Sequence, residues 1–252
     1  MKIRLKLLLC LGLGLLIVTL VIVVNNFPHG NSSDKVVKKS PVKQQSNTLP
    51  KHAKLSDWQL ILVNKQHPRI SEISFHQVTV DDKQIDQRIE KPLSAFREGA
   101  KKARYDTTLV SAYRSIAYQT QIYNASVAQN ESNGMDKEAA TKMTQSVIQT
   151  PGSSEHQTGL AVDLAGNDAL AKYPALMAQM DQFESQKWLI KHAADYGFVL
   201  RYLSDAKSIA QTGIDYESWH FRYVGIANAQ YMVKHHLTLE AYRDMLRNAG
   251  QN

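Results

Sequence analysis

The chain has 252 residues, enough for one sizeable domain plus extra segments. Its single cysteine, Cys10, excludes an intramolecular disulfide. The formal net charge is +7, but Lys2, Arg4 and Lys6 stand at the amino end, and residues 25–54 hold six Lys against Asp34. The chain from Leu55 onward therefore has a net charge of −1, so the basic balance is no case for a nucleic-acid partner.

Residues 7–24 form an apolar run without a charge, softened only by Gly12, Gly14 and Thr19. That is just long enough to span a bilayer. The positive charges before it predict a cytoplasmic amino end, residues 1–6, and export of the remainder. No small-x-small cleavage site precedes Asn25-Asn26-Phe27-Pro28, so an uncleaved signal anchor is expected in preference to a cleaved signal peptide. Cys10 lies inside the run and reads as a membrane residue, not a lipid attachment site. Residues 25–54 are polar and aperiodic and read as a flexible basic linker, lying against anionic lipid or wall polymer or merely solvated. The folded domain is expected over residues 55–249.

Within that domain, apolar and β-branched runs predict strands at residues 58–64 and 73–80. Ile89, Leu93, Phe96 and Ala100 recur at helical spacing and predict a helix over 87–104. A strand over 107–113 would deliver Arg114 to its end. Helices follow over 116–129 and 136–149, the second capped by Asp136 with Glu138 in its first turn. Pro151-Gly152 ends that helix. The short apolar run 160–164 reads as a buried strand. A helix over 183–196 closes at Gly197, and 198–202 reads as a strand. A strand over 216–224 should place Trp219 in the core, and two helices, 227–236 and 238–248, finish the domain with Thr238 as a cap. The predicted class is α+β, a small and mostly antiparallel sheet flanked by helices. There is no internal repeat and no phosphate-cradling Gly-rich loop.

The chemistry concentrates in residues 151–163 and 217–220. Asp163 stands inside an apolar strand, where a carboxylate is costly unless positive charge meets it. A cation would meet it. His156, Asp163 and His220 would make two His and one carboxylate, a common catalytic zinc set that leaves a position open. Glu217 would be the spare carboxylate, a candidate general base. His156 and Asp163 cannot share one strand face, so Gly159 must turn the chain back. Glu217 and His220 would face opposite ways on an ideal strand, so a bulge or strand end is required. On the residues alone a second reading stays open, in which Asp163 caps or pairs locally and His156 lies in a surface loop. Arg114, a forked donor, suits a substrate carboxylate or a developing oxyanion, or serves as a surface salt-bridge partner. His29, His52, His67, His76, His192, His235 and His236 read as solvated.

Three ordered blocks carry a resemblance: Ser111-Ala112-Tyr113-Arg114-Ser115, then Ser154 to Asp163 with His156 and Gly159, then Glu217-Ser218-Trp219-His220. From about Trp58 to about Leu246 the chain resembles the VanY-type D-alanyl-D-alanine carboxypeptidases, a zinc peptidase family related to L,D-carboxypeptidases and the hedgehog signalling domain. The resemblance implies Zn2+ on His156, Asp163 and His220, catalysis by Glu217 and Arg114, and a substrate pocket lined by Arg114, Gln119 and Ser154. It implies removal of the terminal D-Ala from peptidoglycan stem pentapeptides. With the amino-terminal anchor read above, the domain is expected to work outside a bacterial membrane, as a monomer. Alternatives are an L,D-carboxypeptidase acting on tetrapeptide stems, an endopeptidase of the same fold, and a wall-binding module without catalysis. Leu203 and Ser218 stand where relatives often carry Pro, departures that bear on the shape of the pocket rim.

Overall fold

The computed structural model describes residues 48–252. The expected cytoplasmic end, the anchor at 7–24 with Cys10, and most of the linker lie outside the described residues. Among those described, no helix is long and apolar enough to cross a membrane.

The elements run β1 (Gln77–Val80), β2 (Lys83–Asp86), α1 (Glu90–Lys102), β3 (Thr107–Ser111), α2 (Ile116–Ser132), α3 (Lys137–Val147), β4 (Ala161–Gly166) and α4 (Asn167–Lys172). They continue with α5 (Glu184–His192), β5 (Phe198–Leu200), α6 (Ala206–Thr212), β6 (His220–Tyr223), α7 (Ile226–Lys234) and α8 (Leu239–Asn248). Four strands form one sheet in the order β3-β4-β6-β5, antiparallel throughout, and β1 and β2 form a separate hairpin. The described fold is thus α+β with small antiparallel sheets flanked by helices.

The period of two along each strand decides what lies on each face. Val162 and Leu164 of β4, Phe221 of β6, Leu109 of β3 and Phe198 of β5 all join one core with Leu93, Phe96 and Ala100 of α1 and Leu189 of α5. Phe96 is its centre, with ring centroids 5.3 Å from Tyr196, 5.5 Å from Phe198, 5.6 Å from Phe221 and 6.2 Å from Trp188. The alternate residues, Asp163 of β4 and His220 and Arg222 of β6, are left to the other face, with Asp163 directly opposite His220. A second core packs Leu60, Leu62, Val199 and Val224 against Met232 of α7 and Leu239, Tyr242 and Leu246 of α8.

Several local expectations change. Residues 58–64 are not a strand: Trp58–Leu60 is a 3₁₀ turn, and Asn64 makes only an isolated bridge with His67. The backbone carbonyls of Gln59 and Ile61 accept from Arg222, and those of Leu55 and Leu60 from Arg243, so side chains take the place of a neighbouring strand. Of 73–80 only the end pairs, with β2. β2 itself went unpredicted because its turn is made by Asp81 and Asp82, both at positive φ (47° and 63°), a mirror-image hairpin turn without glycine. The short helices α4 and α6 also lie outside the predicted elements. Trp219 is half-buried and belongs to none of the apolar cores, whereas the core was expected to hold it. Residues 48–54, read as the end of the linker, dock on the domain. Ala53 is buried, and Leu55 donates to the Gln251 carbonyl at 2.9 Å.

Truncating Phe96 to Ala should destabilise the protein by about 3–5 kcal/mol, since it removes the ring on which both the sheet and α1 close. Urea unfolding monitored by circular dichroism measures this, and a loss below about 1 kcal/mol would show that the core does not depend on that ring.

Candidate metal centre and active site

His156 lies in a 3₁₀ turn, Glu155–Thr158, whose first turn is capped by the Ser154 hydroxyl and whose end is Gly159 at φ 68°. A Cβ on Gly159 would come within 2.6 Å of the Phe75 ring and 2.9 Å of the Asp86 nitrogen, so glycine is needed both for the backbone and for space. This turn folds His156 back over β4 and sets its Nε2 3.4 Å from Asp163 Oδ2. The β4–β6 register sets His220 Nδ1 3.2 Å from Asp163 Oδ1. Glu217 lies before β6 begins, with Ser218 and Trp219 turning between, and its Oε2 comes 3.5 Å from His220 Nδ1. The required strand end is therefore present. The reading in which Asp163 and His156 are local or surface groups fails, since both are buried and face each other.

Ligand atoms of His156, Asp163 and His220 all lie within 4.8 Å of one another. His156 Nδ1 is 2.6 Å from the Ala112 carbonyl, which accepts its proton and leaves Nε2 with a lone pair. That Nε2 and Asp163 Oδ1 are buried and have no hydrogen-bond partner. Acceptor atoms that converge without a donor between them suit a cation, so the residues fit a divalent metal.

The electrostatics follow from three acids around two imidazoles. Burial pushes the Glu217 carboxyl up to about 8, Asp163 and Glu155 adding to the push while His220 and Arg114 oppose it. Burial lowers His156 to about 4, with Arg114 reinforcing it and Asp163 opposing. For His220 burial acts downward, but Asp163 and Glu155 outweigh it and raise the ring to about 9. Asp163, which burial alone would raise, is held well below the usual carboxylate range by the two histidines.

Arg114 follows β3 and precedes α2, whose cap is Ser115. Its Nη1 donates to Gln119 Oε1 at 3.1 Å, and its Nη2 stands 3.8 Å from Asp163 Oδ2. Gln119 in turn donates to the Gln149 carbonyl at 2.7 Å. A small cleft is lined by Arg114, Gln119, Ser154, His156, Glu217 and His220, with Tyr202, Ile148 and Ile214 among its other walls. All seven residues singled out in the sequence thus meet in one place, Asp163 beneath the cleft. A larger cavity, about 750 Å³, lies by Trp58, Arg69, Arg88 and Arg243 and contains none of them. Chemistry, not size, marks the site.

The sequence model of VanY, D-alanyl-D-alanine carboxypeptidase, matches residues 82–226. The chain belongs to this family. A D-alanyl-D-alanine carboxypeptidase of Enterococcus faecalis is 30% identical over 208 residues, covering 82% of this chain and 73% of that protein. A VanY D,D-pentapeptidase from a VanB-type vancomycin-resistance cassette, solved with Zn(II), superposes with a TM-score of 0.65 at 30% identity, covering 74% of this chain and 99% of the other. VanYB solved with D-alanine-D-alanine gives the same score and identity over 75% and 98%. LdcB, an L,D-carboxypeptidase, superposes with a TM-score of 0.58 at 29% identity over 73% and 84%. The protein is accordingly a carboxypeptidase of the VanY family.

Behind this family site lies a charge cluster that the sequence reading passed over. Glu155 Oε1 accepts from Arg201 Nε at 2.9 Å and Arg222 Nη1 at 2.8 Å, and Arg201 is clamped by Glu240 at 3.0 and 2.6 Å. Burial alone would raise Glu155, but the two guanidiniums outweigh it and hold the carboxyl well below its ordinary range. Arg201 directly follows β5 and Arg222 stands in β6, both buried as Asp163 is, and the same rule, that a buried charge needs a partner, marks them. Tyr202, whose ring centroid is 4.9 Å from that of His220, carried no such signal.

Gly159→Ala should lower the unfolding temperature by several degrees and weaken metal uptake. The left-handed backbone costs a non-glycine residue about 1–2 kcal/mol, before any steric clash. Thermal unfolding and chelator competition measure the two effects; unaltered metal affinity would show that His156 does not depend on this turn.

Proposed function

We propose that the protein is a zinc-dependent D-alanyl-D-alanine carboxypeptidase that trims the terminal D-Ala from peptidoglycan stem pentapeptides outside the membrane. The observation that carries this reading is the meeting, in one cleft, of a two-histidine, one-aspartate set with a spare carboxylate and a forked cation. His156, Asp163 and His220 would hold zinc, as a VanY neighbour holds Zn(II). When bound, the ion supplies a Lewis acid that makes hydrolysis accessible at neutral pH. Glu217 takes the proton of the attacking water and delivers it to the leaving amine. Arg114, braced by Gln119, pairs with the terminal carboxylate, and Ser154 lines the same wall. The products are D-alanine and a stem shortened by one residue.

In this reading residues 7–24 anchor the chain, the linker that follows tethers the domain up to about residue 47, and the enzyme works as a monomer on wall precursors or nascent peptidoglycan. The VanYB structure with D-alanine-D-alanine supports the substrate class. The likeness to LdcB favours a second reading, removal of the fourth residue from tetrapeptide stems. An arginine braced to receive a chain-terminal carboxylate supports a carboxypeptidase over an endopeptidase, and the spare acid Glu217 argues against a wall-binding module without catalysis.

Mass spectrometry of muropeptides with pentapeptide and tetrapeptide stems, after incubation with the purified protein, tests the substrate. Pentapeptide should lose one D-alanine, chelator should stop the loss, and zinc should restore it; conversion of tetrapeptide alone would establish the L,D reading instead. Glu217→Gln should lower kcat by about 10²–10⁴-fold while zinc content is retained. Turnover within a few-fold of the unaltered enzyme would remove Glu217 from its role. Arg114→Ala should cut kcat/KM by about 10–100-fold, the worth of a charged hydrogen bond of about 1.5–3 kcal/mol. The loss should be smaller on a substrate whose terminal carboxylate is amidated; equal losses on both would move Arg114 away from that carboxylate.

A further inference from the structure

We propose that Glu155 is a positioning residue of the metal site: its buried carboxylate accepts a hydrogen bond from the Nε2–H of His220 and so leaves the Nδ1 lone pair on the side of Asp163. The inference rests on the metal reading of the site. Its starting point is a pair of buried polar atoms, Glu155 Oε2 and His220 Nε2, that have no hydrogen-bond partner and face each other at 3.7 Å. A movement of about 0.7 Å brings them to hydrogen-bond distance. No other partner is present to satisfy either one.

The two histidines present opposite nitrogens to Asp163, His156 through Nε2 and His220 through Nδ1. For His156 the remaining nitrogen is settled by a backbone carbonyl, that of Ala112. For His220 the remaining nitrogen meets a carboxylate. A carboxylate behind a ligating imidazole fixes its tautomer and ring angle and makes it a stronger donor to the metal.

The carboxylate is itself held in place. Oε1 is engaged by Arg201 and Arg222, Arg201 is clamped by Glu240, and Arg222 also donates to the carbonyls of Gln59 and Ile61 at 3.0 and 2.7 Å. Two guanidiniums converge on one oxygen and leave the other for His220. A purely structural ion cluster has no reason to leave an oxygen of its only fully buried acid without a donor.

The test has two arms. In the unaltered protein loaded with Zn2+, nitrogen-15 NMR of labelled histidine should show His220 protonated at Nε2 and coordinated through Nδ1; the opposite tautomer would overturn the proposal without any variant having to fold. In the second arm, Glu155→Gln should weaken Zn2+ affinity by about 10–100-fold in chelator competition. Glu240→Gln disturbs the same buried cluster without touching His220 and should leave that affinity unchanged. Equal weakening by both variants would make Glu155 structural and overturn the proposal. Absence of Zn2+ uptake by the unaltered protein would overturn the metal reading as well, whereas normal uptake with unchanged affinity in Glu155→Gln would overturn this inference alone.

Discussion

Asp163 is a charge in the middle of a strand whose every residue is buried, and the arrangement of the domain follows from what must surround it. A carboxylate taken out of water needs donors or cations close by. The edge of an arginine stands near it, and two histidines set their ring nitrogens beside it so that the three can share a cation; each comes from a different part of the chain: the junction of β3 and α2, a glycine-closed loop, and the neighbouring strand. Each of these segments must be placed to within about half an ångström for catalysis. The sheet register and the Gly159 turn provide that placement, and the polar face of the sheet is devoted to it.

The opposite face makes this affordable. Phe96 and its aromatic neighbours close the sheet against α1 and α5, so that β4 and β6 are clamped from the apolar side. Asp163 and His220 lie between Val162, Leu164 and Phe221 in their own strands, and the alternation of strand side chains gives one residue to the core and the next to the site. Stability and chemistry are thus read out of the same few residues at odd and even positions.

A scaffold of this kind constrains the metal set far more than the substrate. Both a D,D-pentapeptidase and an L,D-carboxypeptidase superpose on this chain at similar identity. The walls of the cleft come from α2, the segment after α3, and the loops before β6. Ser218 is fully buried, and its carbonyl accepts from Gln186 Nε2 at 2.7 Å.

The sequence by itself was enough for the α+β class, for most helices of the domain, and for singling out seven residues that the fold brings together. Their signals are local: a carboxylate in an apolar run, a histidine in a glycine-bearing loop, an acid three places before a histidine, and the ordered blocks that resemble the VanY family. Tertiary structure decided the rest, because those facts depend on partners far along the chain. Residues 58–64 look like a strand, yet their carbonyls are taken by Arg222 and Arg243, which no local pattern reveals. Glu155 lies beside His156 in sequence, but its partners Arg201 and Arg222 come from β5's end and from β6, and only folding shows that it stands behind the other histidine. Local pattern determines which residues are costly to bury; three-dimensional pairing determines what each buried charge meets.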